Sequence, residues 1–191
     1  ENILKLAKKN NFKVVYASSS SVYGHKETIP IKEDSERNPI NPYGQTKLDD
    51  EYLFEKYSKD GTEIIGLRYF NIFGKGQTLE YAGVITKFLD RINQKKPPII
   101  FGGGTQIRDF IFVGDIVKAN LLAMESQVSS SLVNVGTGNA ITILELANMM
   151  LEISELDMQP IFEVPLEGDI EKSQADIALA IKSFNWRPKK S

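Results

Sequence analysis

Apolar and polar positions along the chain fall into short β-type runs separated by longer stretches with helical spacing. KVVYASS (13–19) and TEIIGLRYF (62–70) are near-continuous apolar runs rich in β-branched residues, the pattern of strands buried on both faces of a sheet. PIIFGGG (98–104) predicts a short strand running into a turn, RDFIFV (108–113) a further strand, and SLVNVGTG (131–138) a strand closed by a glycine turn. Between them, apolar residues three and four apart predict helices over 84–94, GDIVKANLLAME (114–125), LELANMMLEI (144–153) and DIALAIKSFNW (176–186). Local punctuation sets several ends. Asn41 caps and Pro42 opens a helix running to about Lys59, Pro97-Pro98 breaks the helix before it, and Thr142-x-x-Glu145 is a capping box. Asp115, just after Gly114, is expected to cap the helix it opens. Ile3, Leu4, Leu6 and Ala7 already have helical spacing, so the chain is expected to begin inside a helix, as a fragment would. Alternation of strand and helix throughout predicts an α/β fold with a mainly parallel sheet covered by helices.

Composition narrows the function classes. A chain of 191 residues with 41% hydrophobic residues can bury a core as one domain or two small ones. Its formal net charge of -2 offers no basic field for nucleic acid or an anionic membrane. No apolar run approaches the roughly 20 residues of a transmembrane helix, and no signal peptide opens the chain, so a cytoplasmic protein without a membrane partner is expected. With no Cys there is no thiol nucleophile, disulfide or thiolate site, and His25 as the only histidine excludes a multi-histidine metal centre. His25 follows Gly24 in a polar stretch and reads as a loop residue.

The candidate chemistry centres on PYGQTK (42–47). Two Tyr-x-x-x-Lys pairs occur, Tyr43 with Lys47 and Tyr52 with Lys56, so the spacing alone decides nothing. On a helix Lys47 lies roughly 40° from Tyr43, whereas Tyr52 lies on the opposite side, so only one pair can face a given cleft. Tyr43 falls in the first turn, where the helix N-terminus and a nearby ammonium both favour a phenolate, as a tyrosine base near neutrality requires. Upstream, KVVYASS leads into Ser18, Ser19, Ser20 and Ser21, placing hydroxyls at the carboxyl end of a strand, where open α/β sheets bind ligands.

ASSSSVYG, PYGQTK, LRYFNIFG, RDFIFVGD and NVGTG, in that order, closely resemble the extended short-chain dehydrogenase/reductase family, in particular its NAD-dependent nucleotide-sugar epimerases of the UDP-glucose 4-epimerase kind. The resemblance spans essentially the whole chain and implies the C-terminal part of a Rossmann-like doubly wound parallel sheet with a smaller α/β substrate-binding domain. Residues 1–74 would be a remnant of the NAD-binding domain, and 75–191 the nucleotide-sugar-binding region, with 107–126 returning to the Rossmann sheet. It implies that Tyr43 is the base, that Lys47 lowers its pKa and holds the nicotinamide ribose, and that Ser19 bonds the reacting sugar hydroxyl. The backbone of Phe70 would touch the nicotinamide carboxamide. Asn71 and Arg108 would contact the diphosphate, the backbone near Ile99 and Phe101 the uracil edge, and Asp169 the ribose. Arg108 could instead form a salt bridge to Asp109 or Asp115. The reaction implied is epimerisation of a UDP-sugar through a transient ketone. A nucleotide-sugar 4,6-dehydratase resembles the same scaffold but needs an acid pair where Ser20 and Ser21 stand, and a non-catalytic nucleotide-sugar binder is the third reading. A homodimer through the helix from Pro42 to Lys59 is expected, because Leu48 and Tyr52 would form an apolar stripe away from Tyr43. Two departures stand out: Leu166 occupies a place where relatives carry Arg, and no Gly-x-x-Gly-x-x-Gly cofactor fingerprint occurs, so the 191 residues alone are expected to be inactive.

Overall fold

The computed structural model describes residues 1–79 and 83–190. In chain order its elements are α1 (Asn2–Asn10), β1 (Val14–Ser19), α2 (Pro42–Lys59), β2 (Ile64–Tyr69), β3 (Asn71–Phe73), α3 (Val84–Asn93), β4 (Ile99–Phe101), β5 (Ile107–Arg108), β6 (Phe110–Phe112), α4 (Val113–Glu125), β7 (Ser130–Val135), β8 (Ile141–Thr142), α5 (Ile143–Ile153), β9 (Ile161–Glu163), β10 (Lys172–Ser173) and α6 (Ala178–Phe184). A single 3-10 turn over Ser20–Tyr23 follows β1.

Strands β1, β2 and β7 form a parallel sheet in that order, with Val14 opposite Ile64 and Ser19 opposite Tyr69, then Ile64 opposite Ser130 and Tyr69 opposite Val135. Side-chain alternation divides the sheet into two faces. Val15, Ile65, Leu67, Val133 and Val135 pack with Ile116, Ala119 and Ala123 of α4 and with Ala180, Phe184 and Trp186 at α6. Val14, Tyr16, Ile64 and Leu132 pack with Phe54 and Tyr57 of α2 and with Leu4 of α1. A sheet covered on both faces needs continuous apolar strands, which is why β2 carries no polar residue before Arg68. β1 is less buried than its sequence predicts, because it pairs on one side only; Val14, Val15 and Tyr16 are half-buried and Ala17 is exposed.

A second core gathers Phe88 of α3, Ile100 of β4 and Ile143, Leu146 and Ala147 of α5. Small sheets frame it: β4 runs parallel to β9, β3 parallel to β6, and β5 lies between β10 and β8. RDFIFV is therefore not one strand. It breaks at Asp109, whose buried carboxylate accepts from Thr137 N (2.7 Å), Thr137 Oγ1 (2.6 Å), Gly138 N (3.0 Å) and Ala175 N (3.1 Å).

Asn41 accepts from Gly44 N at 2.8 Å and Pro42 stands in the first turn of α2; Thr142 and Glu145 form the reciprocal capping box of α5. Asp115 does not cap α4. The helix starts at Val113, two residues earlier, and the Asp115 carboxylate instead accepts from Lys190 N at 3.0 Å. The apolar stripe expected on α2 is also absent. Leu48 is buried among Val22, Tyr23, Ile31, Phe70 and Ala175, and the exposed Tyr52 ring lies 5.4 Å from the Arg37 guanidinium, so no such stripe speaks for pairing copies through α2. His25 is an exposed loop residue.

Candidate functional site

The N-terminal turn of α2 is brought against the carboxyl end of β1 by four contacts. Gly44 carries no side chain where a Cβ would lie 2.7 Å from Ser21 O, so the helix can close on the serine turn. Lys47 Nζ donates to Ala17 O at 2.9 Å, and Ser18 Oγ donates to Glu51 Oε1 at 2.7 Å. Leu48 packs on Val22 and Tyr23 of the same turn. These contacts set Tyr43, whose side chain is 57% exposed, beside the serines. The Lys47 ammonium lies 5.9 Å from the centre of the Tyr43 ring. Ser19, at the N-cap of the 3-10 turn, accepts from Ser21 N at 3.1 Å and pairs with Ser21 Oγ at 3.1 Å.

Glu51 and Arg68 were not singled out in the sequence, although a lone arginine inside an apolar strand demands a buried acid. Arg68 is 1% exposed and Glu51 0%. Arg68 Nε and Nη2 each donate to one Glu51 carboxylate oxygen at 2.8 Å, a bidentate fork, while Nη1 donates to Tyr23 Oη (2.7 Å) and Glu33 O (2.9 Å). Arg37 Nη1 adds a bond to Glu51 at 3.1 Å, and Tyr23 Oη donates to Asn134 Oδ1 at 2.6 Å. Burial pushes the Glu51 carboxyl up, but Arg68, Ser18 and Arg37 outweigh it and hold the group below its ordinary value. Burial likewise opposes the Arg68 charge, yet Glu51 and Tyr23 keep its pKa above the usual value; burial pushes the Tyr23 phenol up to about 12. The network ties α2, β1, β2, β7 and the 31–37 loop together.

Phe70 is buried against Leu48 and Tyr23, so its side chain is core. Its N–H donates to Val135 O at 3.0 Å. The next rung that a parallel ladder offers to the Phe70 carbonyl is Thr137 N–H, which goes to Asp109 instead, leaving that carbonyl without a hydrogen-bond donor among the described residues. Asp109 thus has a role near the site that the sequence did not reveal. Burial raises its pKa, against the pull of its four donors.

A cavity of about 430 Å³ brings together Asn71, Ile99, Phe101, Arg108 and Asp169; Ser19 is not among its lining residues. Bonds from Ile161 N to Pro98 O and from Gly102 N to Glu163 O show that the even-numbered residues of β4 face β9. Ile99 and Phe101 therefore turn their backbone groups to the opposite edge, where the Phe101 carbonyl accepts from Gln106 Nε2 at 2.7 Å. Asn71 Nδ2 donates to Asp109 O at 3.1 Å. Arg108 does not pair with Asp109 or Asp115: its Nη2 meets Asp169 Oδ1 at 2.6 Å, because Asp109 is consumed by backbone donors and Asp115 faces the C-terminal segment. Burial lowers the Arg108 pKa and Asp169 offsets part of that. Leu166 lines the same cavity, and Gly168 brings this segment to within 3.9 Å of Ile40 O, measured from where a Cβ would lie, next to the cap of α2.

A parallel sheet with hydroxyls and a Tyr-x-x-x-Lys helix at its carboxyl end, beside a nucleotide-sized cavity, defines a class of dinucleotide-using α/β proteins. The chain belongs to the NAD dependent epimerase/dehydratase family, whose model matches residues 1–136. A protein of Methanocaldococcus jannaschii named for UDP-glucose 4-epimerase is 37% identical over 191 residues, covering 98% of this chain and 62% of that protein. The UDP-N-acetylglucosamine 4-epimerase of Methanobrevibacter ruminantium M1, solved with UDP-N-acetylmuramic acid, superposes with a TM-score of 0.92 at 35% identity, over 98% of this chain and 61% of that one. The UDP-glucose 4-epimerase of Thermotoga maritima, solved with UDP-glucose, gives a TM-score of 0.93 at 34% identity, over 99% and 62%. The chain thus spans a little over three fifths of the length of these relatives. No helix among the described residues is long and apolar enough to cross a membrane.

Proposed function

We propose that the chain is the catalytic and sugar-nucleotide-binding portion of an NAD-dependent epimerase that inverts C4 of a UDP-hexose. The observation that carries the reading is the docking of α2 on the end of β1, which sets Tyr43 and Lys47 against the serine turn beside the cavity. The residues present fit a nicotinamide: an exposed phenol, an ammonium one turn away and an unused Phe70 carbonyl surround one corner of the sheet. NAD, when bound, supplies the acceptor and donor of a hydride. Tyr43 Oη takes the proton of the sugar hydroxyl and returns it, and Ser19 Oγ holds that hydroxyl in line. Lys47, held by the Ala17 carbonyl, keeps a positive charge near the phenol and can turn to a ribose hydroxyl. Asn71, Arg108, Asp169 and the backbone of Ile99 and Phe101 hold the nucleotide. Ser20 and Ser21 stand where a dehydratase requires acids; an alcohol hydroxyl is far too weak an acid to protonate a leaving hydroxyl, which favours epimerisation.

Supplying UDP-glucose to a form that includes a complete dinucleotide cradle, and following products by NMR, tests the reading. Formation of UDP-galactose without net accumulation of reduced cofactor is expected. A 4-keto-6-deoxy product would replace epimerisation with a dehydratase's reaction.

A further inference from the structure

Serine hydroxyls at the carboxyl end of β1 divide between its two faces. Ser19 serves the 3-10 turn, where its Oγ accepts from Ser21 N at 3.1 Å, whereas Ser18, on the opposite face, is buried and donates to Glu51 Oε1 at 2.7 Å. Arg68 of β2 stands directly across the ladder from Ser18, and its Nε donates to the same oxygen at 2.8 Å. One carboxylate oxygen of α2 is thus gripped by two adjacent strands at matched register. Arg68 Nη2 on Glu51 Oε2 at 2.8 Å stops the buried carboxylate from turning. Two other contacts seat α2 on this end of the sheet: Gly44 against Ser21 O, and Lys47 Nζ on Ala17 O at 2.9 Å. The Gly44 contact only limits approach, and the Lys47 bond is given up whenever its ammonium serves a ribose hydroxyl.

From this geometry we infer that Ser18 and Glu51 are positioning residues of the reaction: their bond keeps α2 in register with the serine turn, and so keeps Tyr43 beside Ser19, once Lys47 leaves Ala17 for the cofactor. This deepens the proposed epimerase reading and rests on it. Neither residue touches the substrate. Tyr43 and Glu51 lie on one helix, roughly 12 Å apart along its axis, and Ser18 and Ser19 are consecutive in one strand. Any slip of α2 against β1 therefore shifts the phenol relative to the Ser19 hydroxyl. A misplacement of about 1 Å can cost about 100-fold in rate. The slip moves the reacting groups and leaves the cavity of Asn71, Arg108 and Asp169 as it is, so it should appear in kcat and not in KM. Ser18→Ala releases the grip without orphaning a buried group, because Glu51 Oε1 keeps the Arg68 Nε bond. Gly44→Ala disturbs the same register from the other end, since its Cβ would lie 2.7 Å from Ser21 O.

Steady-state kinetics with a UDP-sugar on a form with a complete dinucleotide cradle, alongside thermal melts, test this. Ser18→Ala is expected to lower kcat by about tenfold with KM held within about twofold, and Gly44→Ala to lower kcat in the same way. Combined, the two should cost less than the product of their separate effects, as perturbations of a single register do. Ser130→Ala is the control for lost stability. It removes the hydroxyl that bonds Thr62 O and Ile64 N, each at 3.3 Å, at the amino end of the same sheet, and should lower the melting temperature without changing kcat. Hydrogen exchange on the 191-residue chain reads the register without turnover. The Ser21 and Gly24 amides should exchange faster in Ser18→Ala and not in Ser130→Ala. If Ser18→Ala keeps kcat within about twofold, if its loss lies in KM instead, or if exchange at the turn is unchanged, the Ser18–Glu51 bond is a fold contact only and the epimerase reading stands. If the unaltered form makes no epimer, that reading falls and takes this inference with it.

Discussion

Removing one oxygen from Tyr43 separates its chemical role from any structural one. The residue is 57% exposed and its hydroxyl makes no hydrogen bond among the described residues, so Tyr43→Phe should melt at the same temperature as the original. As the proton acceptor, the same oxygen should be worth about 100-fold or more in turnover, with UDP-sugar affinity held within about threefold because little binding surface is lost. Tyr52→Phe is the internal control. Its ring lies under Arg37 and keeps that face after the hydroxyl is gone, so neither rate nor stability should move. Steady-state kinetics on a form with a complete dinucleotide cradle decide the matter: if Tyr43→Phe retains more than about a tenth of the rate, another group is the base.

Helix α2 is held to the sheet by charge, through Glu51 on its buried side, and this makes its anchoring depend on pH. The folded carboxyl lies below its ordinary 4.5, so the stability it contributes is complete above that value and fades as pH falls through the lower folded value. Glu51→Gln leaves Arg68 buried without its counter-charge and should cost about 3 kcal/mol near neutrality. Chemical denaturation of both proteins from about pH 7 down to about pH 3.5 should show that gap narrowing as the original protonates. Asp109 and Glu33, whose burial raises their pKa values, act with the opposite sign, but they are common to both proteins and cancel in the difference. A gap that stays constant across the range would mean that Glu51 is not the ionised partner of Arg68. The ends of α2 and α5 were legible in the sequence because Asn41, Pro42, Thr142 and Glu145 act within one turn of themselves. Strands β8, β9 and β10 were not, since two or three residues become a strand only through a partner remote in sequence. The Tyr-x-x-x-Lys motif was legible for the same local reason, whereas its support was not: Glu51 reaches Ser18 and Arg68 across 33 and 17 residues, and no spacing rule announces that. Arg68 inside an apolar strand was the one available signal, and it pointed to a buried acid without saying which.

At the scale of the whole molecule, Asp109 joins the two cores, since one carboxylate binds the turn after β7 and the segment after β10 while its backbone carbonyl accepts from Asn71. The cavity that Asn71, Arg108 and Asp169 line has a volume of about 430 Å³, in the ordinary range of ligand sites. The cofactor side is unequal to it. Tyr43, Lys47 and Phe70 can hold the nicotinamide end of NAD, but the sequence contains no Gly-x-x-Gly-x-x-Gly turn to let a backbone approach the pyrophosphate at a helix N-terminus. A dinucleotide gripped at one end must be ordered along its length with few compensating contacts. The 191-residue chain should therefore bind UDP measurably and NAD far more weakly, and should show no epimerase turnover by itself. Equilibrium dialysis with each ligand gives the comparison, and a dissociation constant for NAD of about 10 μM or tighter, or turnover by the chain alone, would place the cofactor's main grip inside these residues instead.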